Sequence, residues 1–581
     1  MALVTSSTGP INSLIYKLPS RPEFSGLRKG LEVMKQQMLR FCVPGVVTSM
    51  LAQQWLLKLR EIAYDVDDWL DERLIRSGGQ SQPQLCSPDV LAKIQEFSDQ
   101  IMYAQNIGES FGLLSVSPVD LKCSEVNMDR RELFLSREKP CLVGLGDPES
   151  KIGQHLMDNK KNLKVVCILG PGGIGKTTLA RETLNETDSK NLLFHHESGS
   201  VEDDNIVQRV LKLCGGLPLA LVVVAGMLGL EDTRLKNLVL SLLNQDFASE
   251  GISKILNMSY AILPLHIKSC FVYLSAFPAN HMINKDQLIY RWIAEGFVPI
   301  REVESLFDTG EKIFNELARR ALIQLVFEDS NHEPIGCTVH DVIHDFILSI
   351  SREENFVTMS EQLTAGSYPS ETIRRFAHDC SRQVETNILA SSTLHLSRVR
   401  SFAVSGNCNK QMPLLSVFKH VRVLDLENAR GMRSKQLRGI GSLLMLRYLG
   451  LKGSDITGLP KEIEALEHLS TLDIRNTVVN YLPRFKSAKL VSLLADRVVI
   501  PEGKMDVSKL LELVTIHIGR RCSIRTVSDL IRKSKQLRVL GVSFDDDAEE
   551  GDIKEFLRLV SALGVLNFLI DGYTVKFTKY W

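Results

Sequence analysis

The sequence has no C-x-x-C pair and no excess of charge of either sign. Its eleven cysteines are scattered between Cys42 and Cys522, which excludes paired-cysteine zinc knuckles and argues against a disulfide framework. We therefore expect an intracellular protein. Lysine plus arginine equals aspartate plus glutamate at 69 each, so the global charge provides no basis for nucleic acid as a partner.

Targeting and membrane signals are also scarce. The first ten residues, MALVTSSTGP, contain no basic region, no apolar core and no glycine at position 2, so neither secretion nor N-myristoylation is expected. An uncharged run of 18 residues at 213–230 reaches the lower limit for a spanning helix. Gly215, Gly216 and Pro218 interrupt its start, and the remainder suits a buried helix. We expect no transmembrane segment.

The length of 581 residues suggests about three to five domains, and the first hundred residues follow helical periodicity. Apolar residues recur in steps of three and four along two stretches, as in amphipathic helices. They are Leu27, Leu31, Met34, Met38 and Phe41, and then Trp55, Leu59, Ile62, Val66 and Trp69. Shorter patterns at 11–18 and 91–101 supply two more helices, so the sequence predicts a four-helix bundle.

A cluster of acidic residues shares one of these helices with an apolar stripe. In the stretch YDVDDWLDE it comprises Asp65, Asp67, Asp68, Asp71 and Glu72. Such a face is usually solvated, and the alternative is a docking surface for a basic partner domain. The sequence leaves both interpretations open.

The stretch from Leu163 to Leu184 joins an apolar run of strand length to a glycine-rich loop and a helix start. The loop fits the phosphate-binding pattern G-x-x-x-x-G-K-[ST], although a glycine-rich turn without a ligand is the alternative. In such loops backbone N–H groups surround phosphate oxygens, the lysine reaches the terminal phosphates and the hydroxyl binds Mg²⁺. The predicted nucleotide contacts are Gly170, Gly172, Gly173, Ile174, Gly175, Lys176, Thr177 and Thr178, with Thr177 also contacting magnesium.

Residues 252–350 show helical patterns with short connections and end near the stretch VHDVIHDF. His340 and His344, with Asp341 after the first, imitate the H-E-x-x-H zinc site of metalloproteases. The acid is one carbon shorter than the usual glutamate, and no third ligand follows. A zinc peptidase is thus an alternative that metal analysis would test.

The last third of the sequence is repetitive. Units of the form L-x-x-L-x-L start at Val399, Val421, Leu446, Leu469, Leu490, Leu513 and Leu537, with spacings between 21 and 25 residues. This period and consensus indicate leucine-rich repeats, in which each unit adds a short strand to a curved parallel sheet. Further units are predicted at Ile373 and Leu566. The default role of such a solenoid is to bind another macromolecule or a neighbouring domain.

The order of these parts resembles that of plant coiled-coil nucleotide-binding leucine-rich-repeat (NLR) immune receptors. The resemblance rests on short motifs that follow one another in the same order as in that family. They are YDVDDWLDE at 64–72, GPGGIGKTTLA at 170–180, CGGLPLAL at 214–221, CFVYLSAFP at 270–278, RWIAEGFV at 291–298 and VHD at 339–341, where the family usually has Met-His-Asp.

The resemblance implies roles for particular residues. Lys176 and Thr177 would hold the phosphates and magnesium of bound ADP or ATP, Pro218 would pack by the nucleotide, and His340 would contact the β-phosphate of ADP. A contact that is lost when the γ-phosphate arrives is what a two-state switch requires. The implied partners are proteins, bound through the repeats and the bundle, together with contacts between domains and self-association.

One departure from the family is large. Only 40 positions separate Lys176 from Gly216, whereas the family places most of a doubly wound sheet there, including a strand ending in aspartates that hold Mg²⁺. The nearest acids, at 202–204, follow the polar run HHESGS and cannot end a buried strand. We therefore predict a truncated nucleotide-binding domain with weak or no ATP hydrolysis.

The expected fold class is a multidomain α and α/β protein. Its predicted parts are an N-terminal helical bundle at 1–105, a linker at 106–140, a truncated P-loop segment at 141–205, a helical domain with GLPLAL at 206–255, a winged-helix domain at 256–350, a linker at 351–370 and leucine-rich repeats at 371–581.

The implied function is that of an innate-immune receptor in plant defence. An ADP/ATP switch would be coupled to recognition of a pathogen effector or a guarded host protein by the repeats. The implied location is cytoplasmic or peripheral at the plasma membrane. The alternative is a nucleotide-independent truncated receptor that serves as a scaffold, a decoy or a regulator of intact receptors.

Overall fold

A computed structural model describes much of the chain outside the predicted phosphate loop. Apart from a few single positions, the described residues are 11–40, 50–76, 87–112, 210–228, 252–300, 304–327, 334–364, 373–380, 396–407, 413–483 and 489–498, followed by the backbone of strands as far as residue 578. The part of the predicted linker 106–140 from residue 113 onward lies outside these ranges, as does the phosphate loop. The described part of the second predicted linker, 351–370, is not a linker but contains the end of a helix, a strand and a short helix. Its Phe356 and Val357 are buried in the core of the middle part.

Three long helices and a short helical segment form the N-terminal part. The long helices are α1 (Ser25–Arg40), α2 (Met50–Arg76) and α3 (Pro88–Ser110), and the described residues of 11–17 are also helical. Both predicted apolar stripes contribute to one buried cluster with residues of α3. The indole of Trp55 donates to the Ala104 carbonyl at 2.7 Å, which fixes α2 against α3.

Helices and a small antiparallel sheet form the middle part around a second core. The helices are α4 (Pro218–Leu228), α5 (Ile252–Ala261), α6 (Leu265–Tyr273), α7 (Lys285–Glu295), α8 (Leu306–Arg319) and α9 (Asp341–Glu353). The sheet has the order β1 (Ile283–Asn284), β3 (Pro334–Thr338) and β2 (Gln324–Phe327). Helical periodicity did not reveal β2 and β3, because they have only four and five residues.

The repeats form a long sheet. Its strands are β4 (Thr358–Met359), followed by helix α10 (Ser360–Thr364), then β5 (Arg375–Asp379), β6 (Ser401–Asn407), β7 (Val423–Asp425), β8 (Ala429–Arg430), β9 (Tyr448–Gly450), β10 (Thr471–Asp473), β11 (Ser492–Val498), β12 (Glu512–Ile518), β13 (Val539–Phe544), β14 (Asn567–Asp571) and β15 (Thr574–Thr578). Neighbours from β4 to β13 pair in parallel, with β8 pairing at the side of β6.

The repeat units align with these strands. Each predicted unit start lies within two residues of the first residue of a strand, including the extra unit at Ile373. The unit predicted at Leu566 is an exception in direction, because β14 pairs antiparallel with β15, which pairs antiparallel with β13. The parallel repeat therefore ends at β13 in the described part of the sheet.

The apolar run at 213–230 contains α4, which has 11 residues. Among the described residues, no helix has the length and hydropathy needed to cross a membrane.

Candidate functional site

An apolar cleft lies between helix α4 of the CGGLPLAL motif and the wing, as we call the paired strands β2 and β3. Its volume is about 430 Å³. Residues from α4, the end of α8, strand β2 and the start of α9 line it, and His340 is the only ionisable one among them. The lining residues are Leu219, Val222, Ala318, Ala321, Ile323, Gln324, Leu325 and His340. The cleft thus offers apolar surface and a single imidazole.

Backbone contact fixes one wall of the cleft. A Cβ atom at Gly226 of α4 would lie 2.8 Å from the Arg319 carbonyl oxygen and from Cα of Arg320, so α4 approaches the end of α8 more closely than a side chain permits. Ala321 follows with a φ of 55°. Glycine usually occupies this left-handed position after a helix, since an L side chain there costs about 1 kcal/mol.

His340 stands immediately before α9 and caps that helix. The Val342 N–H donates to its Nδ1 at 3.2 Å, and the Asp341 carboxylate lies 2.6 Å from the same nitrogen. In the described part of the chain, the polar contacts of this ring therefore involve Nδ1. Nε2 is the nitrogen left for a ligand, and the side chain is 37% exposed.

The predicted nucleotide residues divide into three groups. Residues 170–178 lie outside the described part of the chain. Pro218 is the first residue of α4, and its side chain is not described, but its neighbour Leu219 lines the same cleft as His340. The structure thus brings the GLPLAL and VHD motifs together. The nucleotide contacts themselves stay predictions.

The zinc alternative is wrong for the HDVIH stretch. His344 is buried, and its Nε2 lies 2.7 Å from the Phe277 carbonyl oxygen, while His340 lies before the helix as its cap. The two rings therefore do not form a pair of ligands on one helix face. Among the described residues no histidine, cysteine or carboxylate cluster could hold a metal ion.

A row of arginines crosses the repeat sheet. Arg374, Arg400, Arg422 and Arg447 each directly precede a strand, namely β5, β6, β7 and β9, which are neighbours in the sheet. The backbone N–H groups of Arg400, Arg422 and Arg447 each donate to the backbone carbonyl of the preceding arginine in this row, at 2.7 to 2.8 Å. We call these four residues the arginine ladder.

The acidic stretch of α2, residues 61–72, lies directly on this ladder, and we call it the acidic helix. Charged hydrogen bonds connect successive acids to successive arginines along both elements. Arg374 bonds Glu61 (2.8 Å), Asp65 (3.0 Å) and Asp68 (3.0 Å); Arg400 bonds Asp67 (3.0 Å) and Asp68; Arg422 bonds Asp67 (2.8 Å) and Asp71 (2.7 Å); and Arg447 bonds Asp71 (3.1 Å). The basic partner domain considered from the sequence is the repeat region of the same chain.

The fit has a simple geometric cause. An α-helix rises 1.5 Å per residue, so the ten steps from Glu61 to Asp71 span about 15 Å. Four neighbouring strands span three intervals of about 4.8 Å, or about 14 Å. The acids and the arginines therefore stay in register across four repeats, and we call their contact the latch.

Tyr64 anchors the middle of the latch. The guanidinium groups of Arg400 and Arg374 lie 4.3 Å and 4.9 Å from its ring centroid. Both terminal nitrogens of the Arg375 guanidinium group donate to the Tyr64 hydroxyl at 3.2 Å. Arg375 also donates to Glu295 of α7 at 3.0 Å. The ring therefore joins the acidic helix to the repeats and, through Arg375, to the middle part.

Two latch carboxylates, Asp67 and Asp71, are buried among cations that favour their ionised forms. Asp67 is 2% exposed and Asp71 is 6% exposed. Burial acts to raise the pKa of Asp67, but Arg422, Lys17 and Arg400 outweigh it and hold that pKa well below its usual value. The pKa of Asp71 is likewise lowered, with Arg422 as the largest opposing influence to burial. Removing one partner from such a contact leaves a buried charge and costs about 3–5 kcal/mol.

The repeats also bind the middle part directly. Arg291 of α7 donates to Asp425 of β7 at 2.5 Å and to the Tyr273 hydroxyl at 3.1 Å. Gly450 makes room for this contact, because a Cβ atom there would lie 2.6 Å from Asp425 Oδ1. Helix α7 therefore packs on strands β7 and β9, and the arginines that precede these two strands contact the acidic helix.

Comparison with known families agrees with this arrangement. An NB-ARC domain profile matches residues 147–212, a profile for the winged helix domain of disease resistance proteins matches 276–347, and a leucine-rich repeat region matches 398–578. In its domain set the chain is thus similar to the plant NLR disease resistance proteins. The NB-ARC match contains the predicted phosphate loop and ends before the GLPLAL motif.

Several similar curated proteins come from rice. Disease resistance protein Pik-2 of Oryza sativa subsp. japonica is 33% identical over 358 residues, which make up 57% of this chain and 34% of that protein. Disease resistance protein RGA5 is 33% identical over 55% of this chain and 30% of its own length, and PIK6-NP is 37% identical over 48% and 27%. The chain thus spans about a third of the length of these relatives.

Sequence reasoning identified Asp65, Asp67, Asp68 and Asp71 of the latch, but it missed Glu61 and the arginines. Each ladder arginine is the second residue of its repeat unit, as in IRRF, VRSF, VRVL and LRYL. Aligning the units column by column would have shown this arginine in four successive repeats, followed by Ser470 in the next. The signal was therefore present in the sequence, at a position of the unit that the leucine consensus leaves unspecified.

Proposed function

We propose that this chain is an NLR-type plant defence receptor whose repeats restrain the N-terminal four-helix bundle and whose nucleotide state controls that restraint. The observation that carries the proposal is the latch, in which the acidic helix lies on the arginine ladder. Release of this contact frees the bundle to self-associate. Recognition of a pathogen effector or a guarded host protein by the repeats favours release. We place this receptor in the cytoplasm or at the inner face of the plasma membrane.

Helix α9 supports a mechanical link between nucleotide and latch. It begins after His340 at the cleft and ends at Glu353, about 20 Å away at 1.5 Å per residue. At its far end, Arg60 beside the acidic helix donates to the Glu354 carbonyl, and the Tyr260 hydroxyl donates to the Glu354 carboxylate at 3.4 Å. A shift of His340 that follows a change of nucleotide would thus be passed to α2.

The residues present suit part of a nucleotide site. The apolar walls of the cleft fit a flat base, and Nε2 of His340 can donate to a phosphate. The cleft residues carry no lysine or arginine, so phosphate charge must be met by Lys176 and the loop amides, and magnesium by Thr177. Bound ADP or ATP would supply the charge difference between two states, because the γ-phosphate adds negative charge beside the histidine. We propose weak or no hydrolysis, as no metal-binding aspartates follow the loop.

Two substitutions of one residue test the switch. The full-length chain is titrated with ADP, and with ATP and Mg²⁺, by calorimetry. His340→Ala and His340→Asn should each weaken ADP binding about tenfold or more, because a charge-assisted hydrogen bond is lost. Only His340→Ala should also lower the unfolding free energy, by about 1 kcal/mol, because asparagine still caps a helix.

The phosphate loop has its own control. Lys176→Arg should bind ADP more weakly than the natural sequence, and neither protein should release labelled phosphate from ATP at an appreciable rate. If the natural chain is folded and yields no binding heat with either nucleotide, the switch is excluded. Strong turnover by the natural chain would instead contradict the absence of hydrolysis.

The scaffold, decoy or regulator role is the second candidate. The described latch residues lie outside the predicted nucleotide segment, and only 40 positions separate Lys176 from Gly216. A latch of this kind could therefore operate without nucleotide. Limited proteolysis of the segment that joins the middle part to the repeats distinguishes the two, since a switch changes its cleavage pattern between ADP and ATP and a scaffold does not.

A further inference from the structure

A lysine from the N-terminal helical segment shares two carboxylates of the latch with the repeats. Lys17 Nζ lies 2.6 Å from Asp67 Oδ1 and 3.2 Å from Asp71 Oδ1. The other oxygens of these carboxylates, Asp67 Oδ2 and Asp71 Oδ2, both bond Arg422. The same two acids therefore hold the N-terminal segment and the repeats at once.

Packing and backbone contacts also hold the described residues of this segment. Ile11, Leu14 and Leu18 are buried in the N-terminal core, and Arg28 of α1 donates to the carbonyls of Ile15 at 3.2 Å and Leu18 at 2.7 Å. A helix of this length is not stable alone in water. Its docking therefore depends on such contacts, among them those of Lys17.

We propose that Lys17 makes docking of the N-terminal segment depend on the repeats, so that the segment loosens when the arginine ladder leaves the acidic helix. The ladder covers Asp67 and Asp71, and the pair with Lys17 then operates in a medium of low dielectric constant. Once the ladder leaves, water reaches both carboxylates. Lys17 then holds them only as a surface ion pair, worth about 0–1 kcal/mol.

The balance of charges at Asp67 and Asp71 sets the sign of this coupling. Lys17 and Arg422 each contact both carboxylates, Arg400 contacts Asp67, and Arg447 contacts Asp71. Loss of Lys17 removes one of the cations that stabilise these two buried charges, which repel each other. Because coupling between two binding events is reciprocal, the repeats must also bind less tightly.

Repulsion between cations opposes this balance. Burial, Arg422 and Arg447 lower the pKa of Lys17, while Asp67 and Asp71 raise it. If repulsion were the larger effect, removing Lys17 would tighten the latch. The two possibilities differ in sign, and so an experiment can separate them.

The test uses hydrogen–deuterium exchange of the full-length chain. In Arg422→Glu, amides of residues 11–18 should exchange at least about fivefold faster, as expected for a coupling above 1 kcal/mol. In Lys17→Met, which keeps the apolar stem, residues 61–72 should likewise exchange faster. Lys17→Arg should remain close to the natural chain. Lys29→Met, on an exposed residue of α1, is the matched control and should change neither peptide.

Two results would overturn the proposal. Unchanged exchange at 11–18 in Arg422→Glu would show that the segment docks independently of the repeats, and slower exchange at 61–72 in Lys17→Met would show that repulsion dominates. Unchanged far-UV circular dichroism and unchanged exchange in β10 confirm folding of each variant. The proposal rests on the latch of the proposed receptor but not on nucleotide, so failure of ADP binding leaves it intact.

Discussion

The latch and the cleft hold parts of the same chain by different means. The latch joins buried charges across four repeats, whereas the cleft has apolar walls and one histidine. Apolar residues of the same shape would hold a helix on a sheet at least as firmly as buried ion pairs do. Charge in the latch therefore gives a contact that has a defined register and can be released. The cleft instead depends on the shape of its apolar walls.

The largest expected effect comes from reversing one charge in the latch. Arg422→Glu places a third carboxylate beside Asp67 and Asp71, and we expect the latch to open at a cost of at least about 3–5 kcal/mol. Small-angle scattering should show a larger radius of gyration, and residues 61–72 should lose protection from hydrogen exchange. Arg438→Glu, which makes the same change at an exposed position of the repeats, should leave both readouts unchanged. A compact Arg422→Glu protein would show that the charges do not hold the two regions together.

Acid should open the latch before it affects the apolar cleft. The pKa values of Asp67 and Asp71 are lowered in the folded chain, so their stabilisation is present above the ordinary value of 3.8 and is lost as the pH falls below it. Exchange at 61–72 should therefore be slow at pH 5 and rise, after correction for intrinsic rates, only below pH 3.8. Exchange that rises between pH 7 and 5 would contradict the assignment. Adding 0.5 M salt should have little effect at pH 7, because these pairs are buried.

The smallest expected effect concerns the backbone of Ala321, a residue that lines the cleft. Ala321 has a φ of 55°, which glycine adopts without strain, so Ala321→Gly should raise the unfolding free energy by about 1 kcal/mol. Ala318→Gly lies three residues earlier within α8 and should lower it by a similar amount. Urea denaturation measures both changes. A loss of stability in Ala321→Gly would mean that the alanine methyl group in the cleft matters more than the backbone.

Much of the repeat region was predictable because its signal is local and repeated. A period of 21–25 residues placed each unit start within two residues of a strand, since every unit must bury its leucines on the same side. The wing was not predictable from helical periodicity, since β2 and β3 are too short to show a pattern. Pro218 and His340 were predicted from motifs, whereas only the structure showed that these two motifs meet at one cleft.

The amino-acid sequence by itself determined the helical stripes of α1 and α2, the strands of the repeats, the acidity of residues 61–72 and the presence of a phosphate-loop pattern. Each depends on residues that are near one another along the chain. Only the tertiary structure decided that the acidic face is buried on the repeats, that Arg422 meets Asp67 across 355 positions, and that Lys17 shares this carboxylate. The reason is physical: a charged face is stable in water or against opposite charge, and only the folded chain shows which environment surrounds it.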